Sequence, residues 1–195
     1  TVVLCTGYLG EQVERMFGDS YCNMDLVYSF ETSSLGTAGA VRLAAPLLKS
    51  DFVLVMNGDS FCDANLEAFW AWHCERSAAV SLLLSSVADA KRYGLVGVND
   101  EGCVLYFNEK DGQCGPGWIS AGIYLMSRPF LLTIPEKMAV SLERETFPSW
   151  IGRGLYGYQS ESQFLDIGTP ESYAEAEQFL LSETFYGTYN SDLKR

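Results

Sequence analysis

Phe52-Val53-Leu54-Val55-Met56-Asn57-Gly58-Asp59 is an apolar run that stops abruptly on a turn pair and a carboxylate. A run of this kind suits a parallel strand buried on both faces, because helices cover both sides of a parallel sheet. Its surroundings repeat the same logic. Upstream, Thr1–Thr6 is a strand, and Tyr8–Phe17 carries Leu9, Val13, Met16 and Phe17 at helical spacing, with Gly18 as a stop. Leu26–Phe30 is a short β-rich run, and Thr37–Leu48 is an alanine-rich helix entered through Ser33, Ser34 and Gly36. Downstream, Asn65–Arg76 predicts a helix and Ala78–Ser86 another buried strand. Strands alternating with helices imply an α/β fold with right-handed crossovers.

The second half departs from that alternation. Gly94–Val98 and Cys103–Glu109 flank Asn99-Asp100-Glu101-Gly102, a hairpin signature. Trp118–Met126 predicts a strand, Ser141–Ile151 a helix and Gln163–Ile167 a short strand. Pro170 then opens a last helix at its favoured first position, capped by Thr169. The expected fold is therefore a Rossmann-like mixed, mainly parallel sheet with helices on both faces. Residues 1–183 form one domain and 184–195 a polar tail.

Composition narrows the function. A chain of 195 residues can bury a core without disulfide or metal. Its 13 basic and 25 acidic residues give a net charge of -12, which repels nucleic acid and anionic lipid. No apolar run reaches the ~18 residues of a membrane span. The six cysteines, Cys5, Cys22, Cys62, Cys74, Cys103 and Cys114, form no C-x-x-C pair and suit reduced, mostly buried thiols in a reducing cytoplasm. His73, the single histidine, follows Trp70 and Trp72 on a helix and reads as structural, so no Ser-His-Asp or Cys-His arrangement can be built.

In open α/β sheets ligands gather at the carboxyl ends of strands, so segments that leave a strand on glycine and aspartate are candidates for chemistry. Asn57-Gly58-Asp59 is one; Asp166-Ile167-Gly168-Thr169-Pro170 is another. Two carboxylates arriving separately could share a hard cation and hold it against phosphate oxygens. Read blandly, Asp59 is a helix-capping aspartate after a simple Asn-Gly turn, and Asp166 caps or pairs with a nearby lysine. Glu31-Thr32-Ser33-Ser34-Leu35-Gly36-Thr37-Ala38-Gly39 is a small-residue loop running into a helix, whose open N–H groups would face a ligand or merely allow close packing. Glu109-Lys110 could bind a sugar hydroxyl and a phosphate, or form a solvated pair.

Taken in order, these motifs resemble the sugar-1-phosphate nucleotidyltransferases, and within them the heptose-1-phosphate guanylyltransferase branch. Further residues carry the second resemblance: Arg92-Tyr93-Gly94, Gly117 through Tyr124, Ser141-Leu142-Glu143 and Asp166 through Tyr173. The resemblance implies transfer of a nucleotidyl group from an NTP, GTP by preference, to a sugar 1-phosphate, with Mg²⁺ as cofactor and release of pyrophosphate. It assigns Asp59, Lys110 and Asp166 to catalysis, with Asp59 and Asp166 as metal ligands. Glu31, Leu35, Gly36, Thr37, Asn57 and Gly58 fall to the nucleotide, and Gly94, Glu109, Lys110, Ala121, Gly122 and Glu143 to the sugar phosphate. A homo-oligomer is allowed; nucleic acid and membrane are not expected as partners.

The family's first strand, its G-G-x-G-T-R loop and the following lysine should precede Thr1, and nothing in the sequence matches them. The expectation is a chain cut upstream by at least one strand–loop–helix unit, roughly 30 residues or more. The competing classes are a sugar-phosphate binding module without catalysis and a metal-dependent glycosyltransferase on a similar scaffold. The latter's usual D-x-D is unmatched, since Asn57 holds the first position.

Overall fold

The computed structural model describes residues 1–108 and 115–180. The chain runs β1 (Val2–Thr6), α1 (Gly10–Phe17), β2 (Ser20–Tyr21), β3 (Met24–Phe30), α2 (Gly36–Ala44), β4 (Phe52–Met56) and β5 (Ser60–Cys62). It continues through α3 (Leu66–Glu75), β6 (Val80–Val87), β7 (Leu95–Val98), β8 (Val104–Asn108), β9 (Gly117–Ser127) and α4 (Arg128–Leu131). β10 (Leu155–Ser160), β11 (Phe164–Asp166) and α5 (Pro170–Leu180) complete it.

The central sheet has six strands in the order β10-β6-β9-β7-β8, with β4 on β9 as well. Period-two alternation divides its side chains between two cores. Val80, Leu82 and Leu84 of β6 and Tyr124 and Met126 of β9 join Ala38 and Val41 of α2 on one face. Leu83, Ala121, Ile123 and Leu125 meet Phe69 of α3 on the other. Helices thus cover both faces, as expected. A smaller sheet, β1-β3-β2, lies beside α2, and β5 pairs with β11 separately.

The sheet is mixed, with fewer parallel pairs than the sequence suggested. Parallel pairing joins β1 to β3 and β6 to β10; the other strand pairs are antiparallel. The reason is β9, whose 11 residues run antiparallel between β4 and β6. β4 accordingly alternates instead of being buried throughout. Val53 and Val55 pack on the core, while Phe52, Leu54 and Met56 are 39%, 41% and 53% exposed.

Other differences are local. The expected Ser141–Ile151 helix is a π-helical turn over Leu142–Thr146 followed by a 3₁₀ turn over Pro148–Trp150, since Pro148 cannot donate to a continuing ladder. β10 was not legible in the sequence, because Gly157 interrupts a short, half-polar run. Among the described residues the thiols correct the burial expectation: Cys5, Cys22 and Cys74 are exposed and Cys62 and Cys103 half-buried, all free, and Cys114 lies outside those residues. His73 is fully buried, its Nδ1 2.8 Å from Ser81 Oγ and its Nε2 without a partner. Among the described residues no helix is long and apolar enough to cross a membrane.

Candidate functional site

A cleft of about 340 Å³ opens beside β9, lined by Asn57, Asp59, Gly94, Gly122, Glu143 and Asp166 among others. That volume falls in the usual range for small-molecule sites. Asp59 and Asp166 meet here through the antiparallel β5–β11 ladder, which sets Asp166 opposite Ser60. The Ile167 N–H donates to Asp59 O at 2.9 Å and extends that pairing. Their convergence therefore comes from a two-stranded clip, not from two parallel strand ends.

Gly168 reports how near the carboxylates lie. A Cβ on it would stand 2.9 Å from Asp166 Oδ1 and 3.7 Å from Asp59 Oδ2, so both carboxylates border one notch. Asp166 Oδ1 accepts the Gly168 N–H at 2.6 Å, and Oδ2 lies 3.8 Å from Arg92 Nη2. Among the described residues no third His, Cys, Asp or Glu joins them to make an all-protein metal cage. Two hard carboxylates with the remaining positions open fit Mg²⁺, which favours carboxylate plus water and phosphate oxygens over such cages.

Ala121 and Gly122 owe their place to an irregularity in β9. Its register on β6 jumps from Tyr124 opposite Leu82 to Ser120 opposite Leu84, so β9 bulges over residues 121–123. Bulges re-aim side chains and gather near active sites. Gly122 sits at φ +71°, and a Cβ there would lie 2.6 Å from Asn57 Nδ2. Its carbonyl accepts the Asn57 N–H at 2.8 Å, which locks the end of β4 against the bulge.

Glu143 projects from the π-helical turn, a form that recurs at functional sites. Tyr124 O–H donates to Glu143 Oε1 at 2.7 Å, and Ser120 Oγ donates to the Tyr124 oxygen at 3.3 Å. Burial, then the Glu143 charge, pushes the Tyr124 phenol well above its ordinary range, so it stays a donor. Burial, then Asp166, raises Tyr93. Arg92, Arg144, Ser120 and Tyr93 also line the cleft without having been assigned to the site from sequence. Arg92 and Tyr93 could have been found from their place beside Gly94. Arg144 needed the π-helical turn, which has no sequence signature.

The nucleotide-loop candidates lie outside the lining of this cleft. Glu31 Oε2 accepts the Leu35 N–H at 3.0 Å, which holds the carboxylate over Gly7. Gly36, at φ +66°, needs to be glycine because a Cβ would meet Val140 O at 2.6 Å. The N–H groups of Ala38 and Gly39 donate to that same oxygen at 3.0 and 3.4 Å. Two of the N–H groups at the helix start are thus taken up by the chain's own Val140. Thr37 Oγ1 accepts the Leu142 N–H at 2.9 Å. Gly58 has open space where a Cβ would stand. Glu109 and Lys110 lie outside the described residues.

The nucleotidyl transferase family matches residues 1–183. A mannose-1-phosphate guanylyltransferase of Mycobacterium tuberculosis is 35% identical over 176 residues, covering 88% of this chain and 49% of the relative. The D-glycero-alpha-D-manno-heptose 1-phosphate guanylyltransferase of Aneurinibacillus thermoaerophilus is 32% identical over 184 residues, covering 92% of this chain and 77% of the relative. The chain therefore spans about half the length of the former and three quarters of the latter. Among solved structures, HddC from Yersinia pseudotuberculosis in complex with GMP-PN superposes with a TM-score of 0.77 at 25% identity, over 91% of this chain and 77% of that one. A Bacillus anthracis protein described as a putative glucose-1-phosphate thymidylyltransferase shares the fold, with a TM-score of 0.75 at 19% identity, over 87% of this chain and 71% of that one. With this match along the chain and this fold, the protein belongs to the nucleotidyl transferase family.

Proposed function

We propose that the protein transfers a guanylyl group from GTP to a sugar 1-phosphate of the mannose or heptose type, releasing pyrophosphate in a cytoplasmic setting. The observation that carries this reading is the meeting of Asp59 and Asp166 at one notch, in a cleft that also holds Arg92, Arg144 and Glu143. The names of the guanylyltransferases similar to this chain support both the base and the sugar class. When bound between the two carboxylates, Mg²⁺ would neutralise phosphate charge and align the reacting groups.

The chain's own residues do the rest. In-line displacement at the α-phosphorus needs alignment and charge neutralisation, and the attacking oxygen already belongs to an anionic phosphate. No general base is required, which agrees with a His73 buried in the core. Arg92 and Arg144 supply positive charge along the cleft, and Lys110 is assigned the sugar phosphate by resemblance. Glu143, held by Tyr124, keeps a carboxylate oxygen for a sugar hydroxyl. Glu31 reads the base. Guanine offers two adjacent donors, N1–H and N2–H₂, and an ionised carboxylate only accepts. With Oε2 fixed on Leu35, Oε1 becomes its main reading atom.

The test assays the gene product containing these residues with GTP, UTP, dTTP, CTP and ATP, each with mannose 1-phosphate and heptose 1-phosphate, by pyrophosphate release. GTP is expected to be preferred, Glu31→Gln to erode that preference, and Asp59→Asn to cut kcat by orders of magnitude with Tm unchanged. Sugar transfer without pyrophosphate release would move the protein to the glycosyltransferases. Normal turnover by Asp59→Asn would remove the metal role, and an unmoved preference in Glu31→Gln would remove the guanine assignment.

A further inference from the structure

The loop assigned to the nucleotide and the turn that carries Glu143 are tied by bonds that the assigned roles do not explain. Val140 N–H donates to Leu35 O at 2.9 Å, and Val140 O accepts from Ala38 and Gly39. The last tie is made by a side chain, Thr37 Oγ1 accepting the Leu142 N–H at 2.9 Å. Leu142 is buried, so its N–H, at the first residue of the π-helical turn, has no water to turn to. The following residues, Glu143 and Arg144, line the cleft.

We infer that Thr37 is a positioning residue for the sugar-phosphate wall and not a nucleotide ligand. Its hydroxyl fixes the start of the π-helical turn, and the turn sets where Glu143 and Arg144 stand. The turn also carries bonds of its own: Ser141 Oγ accepts the Arg144 N–H at 3.2 Å, and Glu145 Oε1 accepts the Ser141 N–H at 3.0 Å. They give the turn its shape, while the Leu35–Val140 ladder and Thr37 anchor it to α2. Tyr124 then fixes the Glu143 carboxylate from the β9 side. Removing Thr37 Oγ1 unties the start of the turn while the Val140 bonds and the Tyr124 contact remain, so Glu143 and Arg144 are held less closely in place relative to the sugar while the base loop keeps its backbone pairing.

The inference rests on the sugar-phosphate reading of this cleft, and the experiment separates the two. Thr37→Val keeps the shape and loses the acceptor; Thr37→Ser keeps the acceptor; Thr37→Ala repeats the loss should valine not fold. Amide hydrogen exchange and calorimetric binding of mannose 1-phosphate and of GTP are measured on each. Expected for Thr37→Val are roughly tenfold faster exchange at Leu142, roughly tenfold weaker mannose 1-phosphate binding, and GTP binding within about twofold of wild type. Thr37→Ser should restore all three. Weakened GTP binding with intact mannose 1-phosphate binding would make Thr37 a nucleotide ligand and overturn the inference. Faster exchange with both affinities intact would leave it purely structural and overturn it equally. A wild-type protein that binds no sugar 1-phosphate would defeat the reading of the cleft and this inference with it, while the exchange result would still report the bond.

Discussion

His73 and the carboxylate pair show how one residue's neighbours decide its chemistry. His73 lies in an aromatic setting, its ring stacked 6.0 Å from Trp70 and edge-on to Phe52 at 5.3 Å. Burial lowers its pKa, so the folded protein holds it neutral where the unfolded chain would protonate it. The unfolded state binds more protons below the ordinary value of about 6.5, so stability falls with acidification from there downward. We expect wild type to lose more Tm between pH 7.5 and pH 5 than His73→Phe, compared pairwise so that the carboxylates cancel. Equal losses would show that His73 does not titrate with unfolding. Asp59 and Asp166 are readable as acids from sequence, but their partnership depends on a ladder between β5 and β11 that no local pattern announces.

The element that builds the cleft is β9, through its bulge. Gly122 holds a left-handed conformation there and has Asn57 packed over its Cα, so side chains are excluded twice. An alanine would meet roughly 1–2 kcal/mol of backbone strain and would also push the Asn57 amide aside. Gly122→Ala is therefore expected to lower the urea midpoint and to weaken sugar 1-phosphate binding together, because the bulge and the end of β4 are one joint. An unchanged midpoint would show that the bulge can relax. By contrast the hairpin turn was legible: Asn99 Oδ1 accepts the N–H groups of Glu101 and Cys103 at 3.2 and 2.8 Å, the local chemistry that makes asparagine a turn residue. Thr169 likewise caps α5 as expected, its Oγ1 accepting the Ser172 N–H at 3.2 Å, while Asn65, read as the first residue of its helix, caps α3 by accepting the Ala68 N–H at 2.9 Å.

At the scale of the molecule, β4 pairs only with β9 and β1 only with β3 among the described residues, so each shows an unpaired edge. Leu54 and Met56 stand half-exposed on β4, and Trp70 is 42% exposed near Phe52. Open apolar edges template further strand pairing. The 195-residue chain should therefore self-associate with rising concentration in light scattering, and Leu54→Lys should reduce it; a monomer at every concentration would refute this. Sequence by itself determined the α/β class, the helix on either side of the central strands, the turn and cap residues, and the identity of the two acids, because periodicity and capping act within a few residues. It also marked His73 as structural, which its burial bears out. Only the tertiary structure decided that β9 runs antiparallel through the middle of the sheet, that β4 is half-exposed, that none of the described thiols is fully buried and that Thr37 bonds Leu142. Each of those depends on which distant segment arrives beside a residue, and pairing between distant segments leaves no trace in the spacing along either one.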